Sequence, residues 1–151
     1  MSAQPIDIHD TADARLRREG QRYTANRRVL IDALSAADRP VTVLELIDGT
    51  PGIPQSSAYR NLSVLEEAGV VRRLVTADDT ARYELAEDLT GHHHHLICER
   101  CGSVADIDVP AELEDGVSSF SSSIARSHGF RIEHHRLDLI GVCPSCAAAA
   151  R

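Results

Sequence analysis

Lysine is missing from this 151-residue chain, aromatic residues make up only 3% of it, and cysteine occurs just four times. Each shortage narrows the reading. Without lysine, all 16 basic side chains are arginine, whose planar guanidinium makes bidentate contacts to phosphate or guanine. With few aromatic rings, the 42% hydrophobic content must pack as an aliphatic core, and a metal cross-link would help so small a fold. No run is long and apolar enough to span a bilayer, and the N-terminus lacks the apolar stretch of a signal peptide. That predicts a cytoplasmic protein with no membrane partner, in which cysteines hold metal in preference to disulfides. The H-x-E that a zinc deaminase needs upstream of its cysteine pair is also missing. A zinc hydrolase needs an open metal position and a placed base. No enzyme and no small-molecule substrate are expected.

What is present starts with those cysteines. Cys98-Glu99-Arg100-Cys101 and Cys143-Pro144-Ser145-Cys146 are two C-x-x-C knuckles, the sequence form of a closed tetrahedral zinc site. Four sulfurs leave no open position, so this Zn2+ would be structural. Redox dithiols or two short disulfides are the alternatives. The run His92-His93-His94-His95 precedes the first knuckle. In an extended chain His92 and His94 point one way and His93 and His95 the other, so one tetrapeptide can supply two metal sites on opposite faces. Imidazole suits zinc, iron and similar divalent ions.

The formal charge of −7 argues against nucleic acid as a partner, but its distribution argues for it. Residues 14–75 hold ten arginines against seven acidic residues, a balance of +3. Along this half, residues 1–8 read as a loose arm and Thr11–Glu19 as a short helix stopped by Gly20. Thr24 caps a helix with Val29, Leu30, Ala33 and Leu34 on its apolar face. Thr42-Val43-Leu44-Glu45 is a capping box opening a helix with Leu44 and Leu46. After the breaker Thr50–Pro54, a helix over Gln55–Ala68 aligns Ala58, Leu62 and Leu65, with Gly69 just past its end. Strands over Val70–Thr76 and Ala81–Leu85 flank a turn at Asp78-Asp79. Three helices and a hairpin in this order predict a winged helix-turn-helix whose last helix enters the major groove. Its surface residues are Gln55, Ser56, Ser57, Tyr59, Arg60 and Asn61.

Residues 86–91 read as a polar hinge. Beyond it, Val104–Val109 alternates with Ala105, Ile107 and Val109 on one side. Pro110 stands at the first position of a helix aligning Leu113, Val117, Phe120 and Ile124, which Gly129 ends. Phe130–Ile140 reads as a strand that turns His135, with Leu137 and Leu139, inward. The expectation is an α+β protein: an N-terminal winged-helix DNA-binding domain (1–85), a hinge (86–91) and a C-terminal α/β metal-binding dimerisation domain (92–151) with a four-cysteine zinc site.

The order of motifs resembles the ferric uptake regulator family of bacterial metal-dependent repressors, from about Leu16 to Cys146. The matching stretches are Gly20–Thr24, Ser57–Leu62, Tyr83–Leu85, His92–Gly102, His128–Phe130 and Gly141–Cys146. The resemblance implies a homodimer that represses by binding a near-palindromic double-stranded DNA operator when loaded with metal. It implies structural zinc on Cys98, Cys101, Cys143 and Cys146. It implies a sensing site for a regulatory divalent metal, Zn2+ or Fe2+, on Glu84, His93 and His95, with Asp106, Glu87 or Asp88 as options for the fourth ligand. A second histidine site would use His92, His94 and His135, completed by Glu114 or Glu112. DNA contacts fall on Arg22, Tyr23, Thr24, Gln55, Ser57, Tyr59, Arg60 and Asn61. The sequence departs from the family's iron sensors near Pro40, where they carry a histidine. It departs from zinc-sensing relatives at Arg72 and about Ala86, where they carry an acid and a cysteine, so the zinc uptake branch stays an open assignment. Peroxide sensing by bound iron, and zinc buffering without DNA binding, are the alternative functions.

Overall fold

The computed structural model describes residues 6–149. Most of the expected N-terminal arm lies outside them, and its last residue, Ile8, already begins helix α1 (Ile8–Arg18). That helix starts three residues before the expected Thr11 because Asp7 caps it, accepting from the backbone N–H groups of His9 and Asp10. Thr24 caps α2 (Ala25–Ala36) as expected. Its buried face is Leu30, Ile31 and Leu34, whereas Val29 is exposed. A two-residue strand β1 (Val41–Thr42) leads into α3 (Val43–Asp48). The capping box between Thr42 and Glu45 forms in full. It turns Val43 and Leu46 inward and leaves Leu44 in solvent.

Helix α4 (Gln55–Glu67) places Ala58, Leu62 and Leu65 in the core with no exposure at all. Gly69 follows at φ +72°, the left-handed conformation a glycine adopts without strain at a helix end. Strands β2 (Val71–Val75) and β3 (Ala81–Leu85) form the wing. β1 joins them, giving an antiparallel sheet of order β1-β3-β2. The aliphatic core sits between this sheet and α1–α4. Residues 86–91, read as a hinge, contain one helical turn, α5 (Glu87–Thr90), whose Leu89 is buried in that core.

The second sheet has order β5-β4-β6, from β4 (His94–Cys98), β5 (Val104–Ile107) and β6 (Asp138–Gly141). On β5 Val104 is buried, Ala105 is exposed and Ile107 is half-buried. Pro110 caps α6 (Ala111–His128) from just outside it, and Gly129 ends it at φ +70°. The strand expected over Phe130–Ile140 is regular only from Asp138. β4 supplies ladder partners from His95 to Cys98 alone, and residues 130–137 have no strand beside them to satisfy a ladder. His135 is consequently half-buried in irregular chain, and Leu139, expected to face inward, is on β6 but faces solvent beside its exposed ladder partner Leu96. No residue of α6 is buried. Helix α7 (Pro144–Ala149) closes the described chain. Among the described residues no helix is long and apolar enough to cross a membrane.

Candidate metal centres and nucleic-acid interface

Three groups of ligand-type side chains bring their donor atoms within 4.8 Å of one another. The first is Cys98, Cys101, Cys143 and Cys146. Gly102 turns the first knuckle at φ +71°, and its N–H bonds the Cys98 carbonyl at 2.9 Å. The second knuckle begins α7 and is tied back by Arg100, which donates to the Cys146 carbonyl. No disulfide links the cysteines; Cys101 and Cys143 sulfurs stand 3.8 Å apart. Backbone N–H groups of Cys101 and Cys143 lower the Cys98 thiol to about 6, while neighbouring sulfurs, Cys143 first, push Cys146 up to about 12. Four converging sulfurs that cannot all shed protons without a cation fit one closed structural zinc ion.

The second group is Glu84, His93, His95 and Asp106. Strand pairing builds it. The register sets His95 directly opposite Asp106 on β5 and beside Asp138 on β6. Glu84 arrives from the other sheet, on β3. Its Oε2 lies 3.1 Å from Nε2 of both His93 and His95. The far nitrogens are engaged as well. His93 Nδ1–H donates to the Gly91 carbonyl at 3.1 Å, and Asp138 Oδ1 stands 3.5 Å from His95 Nδ1. With Nδ1 carrying the proton, a neutral His93 would turn its Nε2 lone pair on a carboxylate, and the 3.1 Å contact becomes a hydrogen bond only with a second proton on the ring. Such an electron-rich centre calls for a proton or a cation, and outer partners on Nδ1 are the usual support of metal-binding imidazoles. His95 is 2% and Glu84 7% exposed. Burial raises the Glu84 carboxyl, but hydrogen bonds with His95 and His93 and the charges of His95 and Arg72 outweigh it and hold it at about 2. Burial, for its part, raises Asp106. A cleft of about 460 Å3 lined in part by Ala37, Arg39, Glu84, His93 and Asp106 gives solvent a route in.

The third group is His92, His94, Glu114 and His135. His92 Nε2 lies 3.1 Å from Nε2 of both His94 and His135, and Glu114 Oε2 is 3.2 Å from His92 and 3.1 Å from His135. Glu114 also contacts His94 directly. The alternation expected for the histidine run therefore exists in space. Glu114, and not Glu112, reaches these rings. Of the other options for the sensing ligand, Glu87 contacts His92 Nδ1 and Asp88 pairs with Arg15 of α1; only Asp106 joins Glu84, His93 and His95.

A profile of the Ferric uptake regulator family matches residues 18–140. The chain belongs to the ferric uptake regulator family. It is thus a metal-responsive transcription regulator and not an enzyme. It is 30% identical over 136 residues to the Peroxide operon regulator of Bacillus subtilis (strain 168), covering 87% of this chain and 88% of that protein. It is 32% identical over 137 residues to the Ferric uptake regulation protein of Campylobacter jejuni, covering 87% and 83%. Among solved structures it resembles the Vibrio cholerae ferric uptake regulator, at TM-score 0.67 and 26% identity over 87% of this chain and 98% of that one.

In this member of the ferric uptake regulator family, the side chains expected to meet DNA divide into two kinds. Gln55, Tyr59 and Arg60 on α4, and Arg22 before α2, are exposed, Tyr59 by 46%. Others are already engaged. The Thr24 hydroxyl caps α2. Tyr23 is half-buried, with its hydroxyl 2.5 Å from His9 Nδ1 and the Arg28 guanidinium over its ring. Asn61 donates to the Ser57 carbonyl and accepts from Arg27 Nε at 3.0 Å. Arg27, Arg72 and Asp138 were not singled out as working residues from sequence. Only strand register and helix packing reveal their partners; Arg72 lies directly across from Glu84.

Proposed function

We propose that this chain is a repressor controlling metal homeostasis, which grips a near-palindromic operator as a metal-loaded homodimer. The observation that carries the reading is the convergence of Glu84, from the wing sheet, with His93, His95 and Asp106 from the other sheet. On this reading the chain divides into a reading head (residues 1–85), a connector (86–91) and a dimerisation domain (92–151). A divalent cation supplies a positive centre that donors from both sheets can share. Glu84 then fixes β3, and with it the wing, relative to β4. His95 is held from behind by Asp138 and His93 by Gly91, so neither ring can follow Glu84 if it swings away. Only the relative placement of the sheets that keeps all four donors together would present α4 of two protomers to successive major grooves. Gln55, Tyr59 and Arg60 contact bases or phosphates, and Arg22 reaches the flanking backbone. Cys98, Cys101, Cys143 and Cys146 hold Zn2+ structurally, while the regulatory ion is Zn2+ or Fe2+. His92, His94, Glu114 and His135 bind a further ion that ties the first turn of α6 to β4. Cysteines that hold metal and a DNA target support a cytoplasmic protein.

Pairing of two copies is supported by the apolar surface left uncovered on one chain. Leu113 and Phe120 on α6, with Leu96 and Leu139 paired across β4 and β6, are exposed, and apolar side chains left in solvent are what an interface would cover.

The test is DNA binding by fluorescence anisotropy, using duplexes enriched from a random pool by the loaded protein. Zinc, iron and manganese are titrated separately and bound metal is quantified. Binding should require the second ion per chain and vanish in Glu84→Gln and His95→Ala variants that keep zinc on their four cysteines. Equal affinity of loaded and selectively stripped protein would refute metal gating.

The likeness to a peroxide operon regulator, together with an all-nitrogen-and-oxygen donor set that iron accepts, favours peroxide sensing as the second reading. Oxygen addition to His93 or His95, detected by mass analysis after peroxide treatment of iron-loaded protein, would select it.

A further inference from the structure

We propose that Arg72 sets the metal threshold of the Glu84 centre, acting as a resident counter-cation that shares the Glu84 carboxylate with the incoming ion. The inference rests on the reading of Glu84, His93, His95 and Asp106 as the sensing centre. Arg72 and Glu84 face each other across β2 and β3. Both guanidinium donors go to one oxygen: Nε lies 2.9 Å and Nη2 2.5 Å from Oε1. The other oxygen, Oε2, is left to the two histidines. The carboxylate is thereby divided, with one oxygen on a fixed cation and one turned toward the donor cluster.

Charge makes this division matter. Two neutral imidazoles and two carboxylates carry −2, which a divalent ion would neutralise. Arg72 adds a positive charge, so the loaded centre ends at +1. Glu87, Asp88 and Glu133 line a cleft with Arg72 and act on its charge from outside the donor cluster. Asp138, behind His95, is already paired with Arg136 at 2.6 Å. The Arg72 side chain is 31% exposed, so water screens its charge only in part. Arg72 also orients Glu84, and removing it loosens that carboxylate. The repulsion is the larger effect, because it scales with the charge of the ion, while the bound ion itself would hold Oε2. Arg72 therefore lowers affinity for the ion and places the response at a higher metal concentration. Since Arg72 lies on the wing strand itself, the same contact carries occupancy of the centre into β2.

The experiment titrates cobalt(II) into full-length protein with zinc in the four-cysteine site, in a His135→Ala background that disables the other histidine cluster. Visible absorption reports cobalt in the Glu84 centre. Arg72→Gln and Arg72→Met should bind cobalt roughly tenfold more tightly than the parent, and Arg72→Lys, which restores the charge, within roughly twofold of it. Two uncharged variants are used so that a folding defect in one leaves the other to be read. Unchanged or weaker binding in the uncharged variants would overturn the proposal, as would an Arg72→Lys protein that behaves like Arg72→Gln. If the parent shows no saturable uptake, the sensing-centre reading falls and this inference falls with it.

Discussion

Gly102 closes the first cysteine knuckle at φ +71°, and a Cβ built there would collide with the Asp78 carboxylate at the tip of the wing. Asp78 cannot simply swing aside. Its Oδ1 accepts from the Thr76 hydroxyl at 2.5 Å, and both oxygens lie 3.1 Å from the Arg82 guanidinium. Gly102→Ala should therefore cost about 1–3 kcal/mol through left-handed strain alone, and more through the displaced carboxylate. Thermal unfolding of zinc-loaded protein checks this, and an added Asp78→Ala change should return part of the loss. Asp78 also carries a pH signature. Hydrogen bonds from Arg82 and Thr76 hold its carboxyl well below the usual carboxylate range. A depressed carboxyl stabilises the fold fully above its unfolded value of 3.8 and loses that contribution as pH falls below it. Asp78→Asn should be destabilised by about 1 kcal/mol near neutrality. The gap to the parent should close in urea melts as the pH drops below 3.8. None of these contacts was legible in sequence, because the knuckle and the wing turn are separate local motifs that meet only in the fold.

At the scale of elements, helix α4 is located by an interaction that its own face does not reveal. Arg27 on α2 donates from Nε to Asn61 Oδ1 at 3.0 Å and from Nη2 to Gln21 at 3.3 Å. It also bonds the Arg22 carbonyl. One guanidinium thus fixes α4 against α2 and holds the segment that carries Arg22. Arg27→Ala should lose about 1–2 kcal/mol of stability. DNA affinity should fall by a larger factor than that of a variant of an exposed arginine such as Arg18, at unchanged metal content. Anisotropy titration and metal analysis on the same samples read both. Helix periodicity predicted α4 almost to the residue, since Ala58, Leu62 and Leu65 share one face and Gly69 stops the helix. Periodicity misplaced Val29 and Leu44, because a short helix packed on one side leaves its flanking apolar positions open, and packing alone decides which ones.

For the whole molecule, the exposed stripe on α6 matters most. Leu113, Val117, Phe120 and Ile124 align as the sequence predicts, yet none is buried and Phe120 is 66% exposed. A second copy is the occupant proposed for this face. Phe120→Glu should weaken self-association by roughly 2 kcal/mol or more, since buried aromatic anchors dominate interfaces. Sedimentation should then show monomers at concentrations where the parent is paired. DNA affinity should collapse while each chain keeps its metal. A Phe120→Glu protein that stays paired would mean another surface joins the copies.

The chain's own order determined which residue types are available and how they recur. Two cysteine knuckles, alternating histidines, capped helices and a hairpin are local patterns, and hydrogen-bond geometry and side-chain period make such patterns readable within a few residues. Tertiary structure alone decided which partners complete them. Asp106 reached His95 through antiparallel register, and Glu114, not Glu112, reached the rings through the rotation of α6. Arg72 met Glu84 across the wing, and residues 130–137 stayed irregular for want of a neighbouring strand. The reason is physical: register, helix rotation and sheet placement are set by packing between distant segments, and spacing along one strand or helix carries no record of them.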